Sequence, residues 1–178
     1  MLSLKGGTHY IGTTRFNNET LEQNHRWKKN NSHQGCLYGS PIRTPSKVPV
    51  NAKLFILEMN NDTNQIANIG FITNYYDCKV KNYIYSDKNW NRFVYKGKHI
   101  ISRNILESEF PEQINILENI LFKGCGHYKR GQGITLLSQK KIKQHEKEFY
   151  CLFVCLESVF KKLELRNQKS KMKNENEK

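Results

Sequence analysis

Two apolar segments joined by a polar turn, within residues 48–74, constrain the fold more than any other part of the chain. The first, residues 54–57, is too short for an amphipathic helix and is predicted as a strand. Residues 60–64 are Asn and Asp with one Thr, a composition typical of turns. Residues 66–73 return as a second strand, where Gly70 indicates a bulge or a close backbone approach. Strands that are apolar on both faces predict a sheet that closes on itself or is covered by helices.

Strand and helix patterns alternate before this hairpin. Residues 9–16 and 34–40 are predicted as strands. Residues 19–30 are predicted as a helix, which Asn17 or Asn18 caps through its side-chain oxygen. Beyond the hairpin the same reasoning predicts more strands and one shorter helix.

Residues 92–95 and 99–103 are predicted to pair with each other across a tight turn at Lys96 and Gly97. Residues 112–122 carry apolar side chains on one helical face and are predicted as a helix. Residues 134–137 are predicted as a further strand. The mixture places the chain in the α/β (α+β) class.

A long helix is predicted over residues 141–165, because apolar side chains recur there at helical spacing. Those side chains are Phe149, Leu152, Phe153, Leu156, Val159, Phe160 and Leu163. We therefore divide the chain into a mixed domain over residues 1–140, a helix packed on it or on a partner over 141–165, and a disordered basic tail over 166–178.

Positive charge is the dominant property of the composition. The 178 residues include 29 Lys and Arg against 16 Asp and Glu, a net charge of +13. Residues 161–178 account for +4 of this excess, so +9 belongs to the rest of the chain. Such an excess favours a polyanionic partner, most often nucleic acid, over a merely solvated basic surface.

The chain has features of an intracellular protein. No apolar run approaches the roughly 20 residues that span a bilayer, and no secretory signal is recognised. Five cysteines without a CxxC pair predict reduced thiols in the cytoplasm or nucleus. Of these, Cys151 and Cys155 are predicted to be buried and structural. Frequent Asn and Lys are typical of an AT-rich genome, such as that of a large DNA virus or a protist. A viral origin would place the protein in an infected host cell.

Residues 123–133, KGCGHYKRGQG, form a glycine-rich basic loop. Its glycines allow a close backbone approach to a ligand, and Lys123, Lys129 and Arg130 supply cations for phosphate. His127 can stack on a base. A strand follows the loop where a P-loop needs a helix, so nucleotide binding of that type is excluded. The alternative is an ordinary basic turn.

Aromatic residues interleave with Lys and Arg, as is typical of proteins that bind single-stranded nucleic acid. Trp90 has polar neighbours on both sides, and Arg92 follows it. A Trp in such a loop leaves apolar surface in water unless something covers it. It is therefore either a stacking face or a core residue.

Catalytic chemistry has little support in the sequence. No pair of carboxylates stands in an apolar or glycine-rich context, as general acid–base catalysis would require. Cys125 and His127 are too close along a flexible loop to form a nucleophile–base pair. We predict that the chain is not an enzyme and that it uses no metal and no cofactor.

The order of these segments resembles the PUA-like superfamily of small β-barrels, and within it the YTH and EVE domains, over residues 8–137. The resemblance rests on RFNNE at 15–19, QGCLYGSP at 34–41, the hairpin, FVYKGKHIISRNILE at 93–107 and KRGQGITL at 129–136. It implies a PUA-like barrel of five to six strands flanked by helices, with the helices at 112–122 and 141–165 as additions.

The resemblance also implies roles for single residues. Arg15 would hold a phosphate and Asn17 would bond a base edge. Where a YTH cage has its first Trp, this chain has Leu37 or Tyr38, and Trp90 is the nearest counterpart of the second.

We therefore predict non-catalytic binding of RNA or single-stranded nucleic acid, with a modified or flipped base read in an aromatic pocket. The predicted binding residues are Arg15, Asn17, Tyr38, Trp90, Arg92, Lys123, His127, Lys129 and Arg130. The alternative is a structural or scaffolding, virion-associated protein that uses its C-terminal helix to bind a protein partner or a second copy.

Overall fold

The computed structural model describes residues 2–4, 7–76 and 83–160, and its central feature is the predicted hairpin. Strands β4 (Lys53–Asn60) and β5 (Gln65–Thr73) pair antiparallel. The ladder has a bulge at Glu58/Met59 and not at Gly70. At Gly70 the structure shows the alternative, a close approach, because a Cβ there would overlap the Tyr38 hydroxyl.

The hairpin lies within a six-stranded sheet. Strand β2 (Gly7–Phe16) runs parallel to β4, while β1 (Leu2–Leu4) and the short β8 (Thr135–Leu136) pair with the other edge of β2. On the far side, β7 (His99–Ser102) pairs with β5. The sheet order is thus β1-β2-β4-β5-β7, with β8 beside β2.

Helices cover one face of this sheet. They are α2 (Arg103–Glu109), α3 (Pro111–Phe122), α4 (Gln139–Gln144) and α5 (146–160). Phe55 on β4 meets Phe153 and Phe160 of α5, with ring centroids 4.8 and 6.1 Å apart. Contact with these helices explains why every second residue of β4, on the side that faces the helices, is apolar.

The opposite face is covered by a two-stranded sheet and a helix. Strands β3 (Cys36–Ser40) and β6 (Phe93–Gly97) pair antiparallel, and α1 (Asn18–Asn30) packs beside them. Leu54 and Ile56 of β4 belong to the core under this layer, together with Tyr38 and Tyr95. Both faces of the hairpin are therefore buried, as its composition requires.

The described residues confirm the mixed α+β class, but among them no closed barrel is found. The two sheets meet at one isolated bridge, between Tyr76 and Tyr95. At the other side, Gly133 lies directly against Ser40, so that a Cβ at Gly133 would overlap the serine hydroxyl. Segments that flank the large sheet thus contact the small sheet at both sides. The described residues of β2 and β3 belong to different sheets, and we call the boundary between these two strands the seam.

Strand pairing after the hairpin differs from the prediction. Residues 92–95 and 99–103 were expected to pair with each other, whereas β6 pairs with β3 and β7 pairs with β5. Gly97 allows this divergence, because a Cβ there would overlap the Phe71 carbonyl oxygen of β5. Two elements were also not predicted: β1 and helix α2.

The predicted C-terminal helix is divided in two. The backbone of His145 has φ −128° and ψ 37°, which ends α4, and α5 begins at the next residue. The part of the chain from 161 onward, including Leu163 and the predicted tail, lies outside the described residues. Within the described part of the chain, no helix is both long and apolar enough to cross a membrane.

The prediction that Cys151 and Cys155 are buried is wrong. Cys151 is exposed on the outer face of α5, and Cys155 is half-buried. The apolar stripe of α5 consists instead of Phe149, Leu152, Phe153, Leu156 and Phe160, while 36% of Val159 is exposed. The cysteines therefore lie beside the stripe and not within it.

The docking of α5 is testable with two variants on the same helix. Phe153→Ala removes a fully buried ring and leaves a cavity, so it should lower the free energy of unfolding by about 3–5 kcal/mol. Tyr150→Ala, at a side chain that is 45% exposed, should change it by less than about 0.5 kcal/mol. Urea unfolding followed by circular dichroism measures both, and equal midpoints would contradict this packing.

A second test concerns a buried carboxyl group on the other face. Glu58 accepts hydrogen bonds from the Tyr38 hydroxyl at 2.8 Å and from Asn68 Nδ2 at 2.6 Å. Burial raises the pKa of Glu58 above that of an unfolded chain. A carboxyl with a raised pKa stabilises the fold at low pH, and this contribution is lost as pH rises above about 4.3, the ordinary Glu value.

Glu58→Gln should therefore gain stability relative to the wild type as pH rises, and the two should converge in acid. Chemical unfolding at pH 4, 6 and 8 measures the difference in the free energy of unfolding between the two proteins. The contributions of the other titrating groups are the same in both proteins and cancel. A difference that is constant with pH would show that Glu58 titrates normally.

Candidate functional site

A cavity of about 330 Å³ opens at the seam between β2 and β3. Its walls come from the end of β2, the first turn of α1, β3, the hairpin turn and two loops. The residues are Thr14, Arg15, Phe16, Asn17, Thr20, Gly39, Asn61, Tyr85, Trp90, Lys129 and Gly131. Its size is at the lower end of the roughly 300–1,000 Å³ that is common for small-ligand pockets.

Asn17 forms the N-cap of α1 at the rim of this cavity. Its Oδ1 accepts hydrogen bonds from the Thr20 backbone N–H at 2.8 Å and from the Thr20 hydroxyl at 2.7 Å. Because the cap needs an acceptor, it fixes which amide atom is oxygen. The Nδ2 group is then the donor that the cap leaves for a ligand.

Trp90 lines the cavity from a 3₁₀ turn, Lys88–Asn91. Asn91 holds this turn against Tyr85: its Oδ1 accepts from the Tyr85 N–H at 3.0 Å, and its Nδ2 donates to the Tyr85 carbonyl at 2.7 Å. Gly39 permits the approach, since a Cβ there would overlap the Trp90 carbonyl. Trp90 is half-buried, packing on the core with part of its surface at the cavity.

Tyr85 contributes an apolar wall that the sequence did not single out. It is buried, and its hydroxyl accepts from Asn24 Nδ2 at 2.9 Å. Asn24 also donates to the Leu37 carbonyl at 2.8 Å, so α1, β3 and the Tyr85 segment are joined at one amide. Burial raises the pKa of Tyr85, which therefore stays neutral.

Tyr38, predicted to stack on a base, does not line the cavity. It is fully buried under the central sheet, and its hydroxyl donates to Glu58. All five residues of β3 are buried, because the strand is covered on both sides. In this arrangement no ring face of Tyr38 is open to a ligand, and the predicted stacking role is wrong.

Arg15 lines the cavity, but its guanidinium group hydrogen-bonds within the protein. Nε donates to the Gly131 carbonyl, Nη1 to the Tyr128 carbonyl and Nη2 to the Gly133 carbonyl, at 2.9–3.2 Å. The remaining N–H groups meet the hydroxyls of Thr13 and Thr135. A guanidinium has five donors, so none is left to bond a phosphate. Arg15 instead holds the glycine-rich loop against β2, which corrects the predicted role.

Lys129 is the cation that lines the cavity with donors to spare. One donor of its Nζ bonds Asn64 Oδ1 at 2.7 Å. Its carbonyl accepts from Asn61 Nδ2 at 3.1 Å, which joins the loop to the hairpin turn. Asn61 Oδ1 is buried without a partner among the described residues. Such an acceptor costs about 1–3 kcal/mol unless a donor reaches it.

The remaining predicted residues do not line the cavity. Lys123, Arg130 and Arg92 are exposed. His127 is half-buried, and its Nδ1 accepts from the Lys129 N–H at 3.2 Å, so it shapes the loop. The structure thus brings together Arg15, Asn17, Trp90 and Lys129. Asn61 and Tyr85 complete the site, and only long-range packing identifies them.

The wall of the cavity supplies aromatic rings, side-chain amides and cations. Among the described wall residues there is no carboxylate, histidine or cysteine, and the cations are Arg15 and Lys129. Burial lowers the pKa of Arg15, but a guanidinium keeps its proton in any case. No cluster of three or more His, Cys, Asp or Glu that could bind a metal occurs in the described ranges.

The role of Arg15 predicts the behaviour of the loop. Arg15→Ala leaves the carbonyls of residues 128, 131 and 133 without their donor, so it should cost about 2 kcal/mol or more and release the loop. Hydrogen exchange should become faster at residues 128–135. Arg130→Ala removes an exposed cation from the same loop and should leave both exchange and stability unchanged. Equal protection in the two variants would contradict the anchoring role.

Comparisons of the chain with protein-family models, with curated proteins and with solved structures gave no match. What the site binds is therefore inferred from its own geometry and charge.

Proposed function

We propose that the chain binds RNA or single-stranded nucleic acid without catalysis, and that the cavity takes one unstacked base. The observation that carries this proposal is the half-buried Trp90 in a cavity that also contains Lys129 and Asn17. Aromatic rings stack on bases of any sequence, and cations bind the flanking phosphates. The net charge of +13 favours the same polyanionic partner.

Polar groups in the wall favour a base over a bare phosphate. Asn17 offers a donor, Nδ2, at the rim. Asn61 also lines the cavity, and its Oδ1 is an unpaired acceptor that a ligand reaches once the buried amide shifts. A phosphodiester has acceptors only, whereas the edge of a base presents donors and acceptors side by side. A flipped or modified base in this cavity is the finer form of the proposal.

The fold layout supports a finer structural proposal as well. We infer an open PUA-like barrel, similar to YTH and EVE domains, in which β3 and β6 continue the curve of the sheet. The bridge between Tyr76 and Tyr95 and the contact of Ser40 with Gly133 support it. The cavity would then open at the seam of the barrel. An intracellular location accompanies this function, since cellular RNA is found there.

The scaffolding alternative gains little from α5. The apolar stripe of this helix is buried against the chain's own sheet, so it is not free for a partner. Tyr150 and Val159 are the large apolar side chains of α5 that are exposed. A dimer through this helix would need these residues, and the binding test below does not depend on them.

The function is tested by titrating a labelled single-stranded oligonucleotide at several salt concentrations. Phosphate contacts release counterions, so with about six contacts the affinity should fall on the order of 10³-fold between 50 and 200 mM salt. Trp90→Ala should cost about 1–3 kcal/mol for single strands without changing the salt dependence. Binding to a duplex should hardly change, because its bases stay paired.

Two control variants separate stacking from folding and from charge. Trp90→Phe keeps a ring and should retain most of the affinity. Arg130→Ala should weaken binding to all sequences alike and reduce the salt slope by about one. The absence of binding at low salt would contradict the proposed function. Equal losses for single strands and duplexes in Trp90→Ala would leave a basic surface without a base site.

A further inference from the structure

Two arginines outside the cavity converge on one aromatic ring. The guanidinium carbon of Arg43 lies 5.5 Å from the Phe93 ring centroid, and that of Arg92 lies 5.8 Å from it. Arg43 is also 5.5 Å from the ring of Tyr76, which meets Phe93 edge-on at 5.1 Å. Both arginines are exposed, and the two rings are half-buried.

Both positive charges lie against the ring of Phe93. Among the described residues, no carboxylate forms a salt bridge with Arg43 or Arg92. By contrast, Arg26 pairs with Glu22, and Arg103 pairs with Glu107 and Glu118. Cation–π contact holds each guanidinium over a ring and leaves its N–H donors for a ligand. Two such groups favour an anion with several acceptor oxygens, such as a phosphate.

The pair lies next to the cavity. Trp90 and Phe93 are three residues apart, so their Cα atoms are within about 11 Å. Phe93 also pairs with Ser40 of β3, the residue after Gly39 in the cavity wall. A strand whose base enters the cavity can therefore reach both arginines with the nucleotide that follows.

We propose that Arg43 and Arg92 form a second subsite, which binds a backbone phosphate of a nucleotide flanking the one in the cavity. Phe93 and Tyr76 are positioning residues, because they hold the guanidinium groups and do not need to touch the ligand. This inference rests on the proposed function. It adds a path for the bound strand, which runs from the cavity over β6.

The test compares three arginine variants of the full chain, each losing one positive charge. Arg43→Gln and Arg92→Gln should each weaken binding of a single-stranded decamer by roughly 5- to 10-fold at 100 mM salt. Each should also reduce the salt slope by about 0.7 to 1. Arg26→Gln removes a charge from the outer side of α1 and should change the affinity less than twofold.

A ligand without phosphate separates the subsite from the cavity. Binding of a free nucleoside, followed through the Trp90 indole N–H resonance, should be the same in wild type and in all three variants. Equal effects of Arg43→Gln, Arg92→Gln and Arg26→Gln on the decamer would overturn the second subsite and leave the proposed function standing. If the wild-type chain binds no decamer at all, both proposals fail.

Discussion

Burial of both faces of the β4–β5 hairpin is the constraint on which the rest of the structure depends. A sheet with two apolar faces needs two covers, because exposed apolar area costs about 25 cal/mol per Å². Helices α2–α5 form one cover, and β3, β6 and α1 form the other. The two covers differ in consequence. The helices pack on the sheet and form one core with it. The second cover leaves a seam between β3 and β2, and the candidate site lies at this seam.

That hairpin was predictable because its pattern is local. Its strands and turn depend on residues within a single stretch of sequence, and so does the Asn17 cap of α1, which the sequence left open between Asn17 and Asn18. Partner choice is not local. Whether β6 pairs with β7 or with β3 depends on Gly97 allowing the Phe71 carbonyl to approach, and that carbonyl belongs to a strand far along the chain. A tight turn in the sequence does not contain this information.

The predictions for the site also depend on whether the evidence for each residue is local in the sequence. Trp90 and Lys129 could be singled out because polar neighbours and glycines mark exposed, functional loops. The burial of Tyr38 could not be predicted, because the sequence of a strand buried on both sides resembles that of any short apolar strand next to glycines. Asn61 lies in an obvious turn, yet its role follows from contact with residue 129, on another loop. The sequence therefore identified the loops that meet at the site. It did not identify which of their side chains are buried or hydrogen-bonded within the protein and so cannot contact a ligand.

Arg15 shows how the same residue serves a different purpose from the one its chemistry suggests. A cation at a strand end beside a glycine-rich loop is typical of phosphate binding. Here three loop carbonyls and the hydroxyls of Thr13 and Thr135 take all five donors. No described carboxylate forms an ion pair with Arg15, so the charge remains uncompensated at the cavity wall. Hydrogen bonds offset the desolvation of the guanidinium, while its field still attracts an anion over several ångströms. One half-buried cation thus fixes the loop geometry and contributes to the positive potential. Under the proposed function, the contacts with the ligand would be made by residues that the loop positions, such as Lys129.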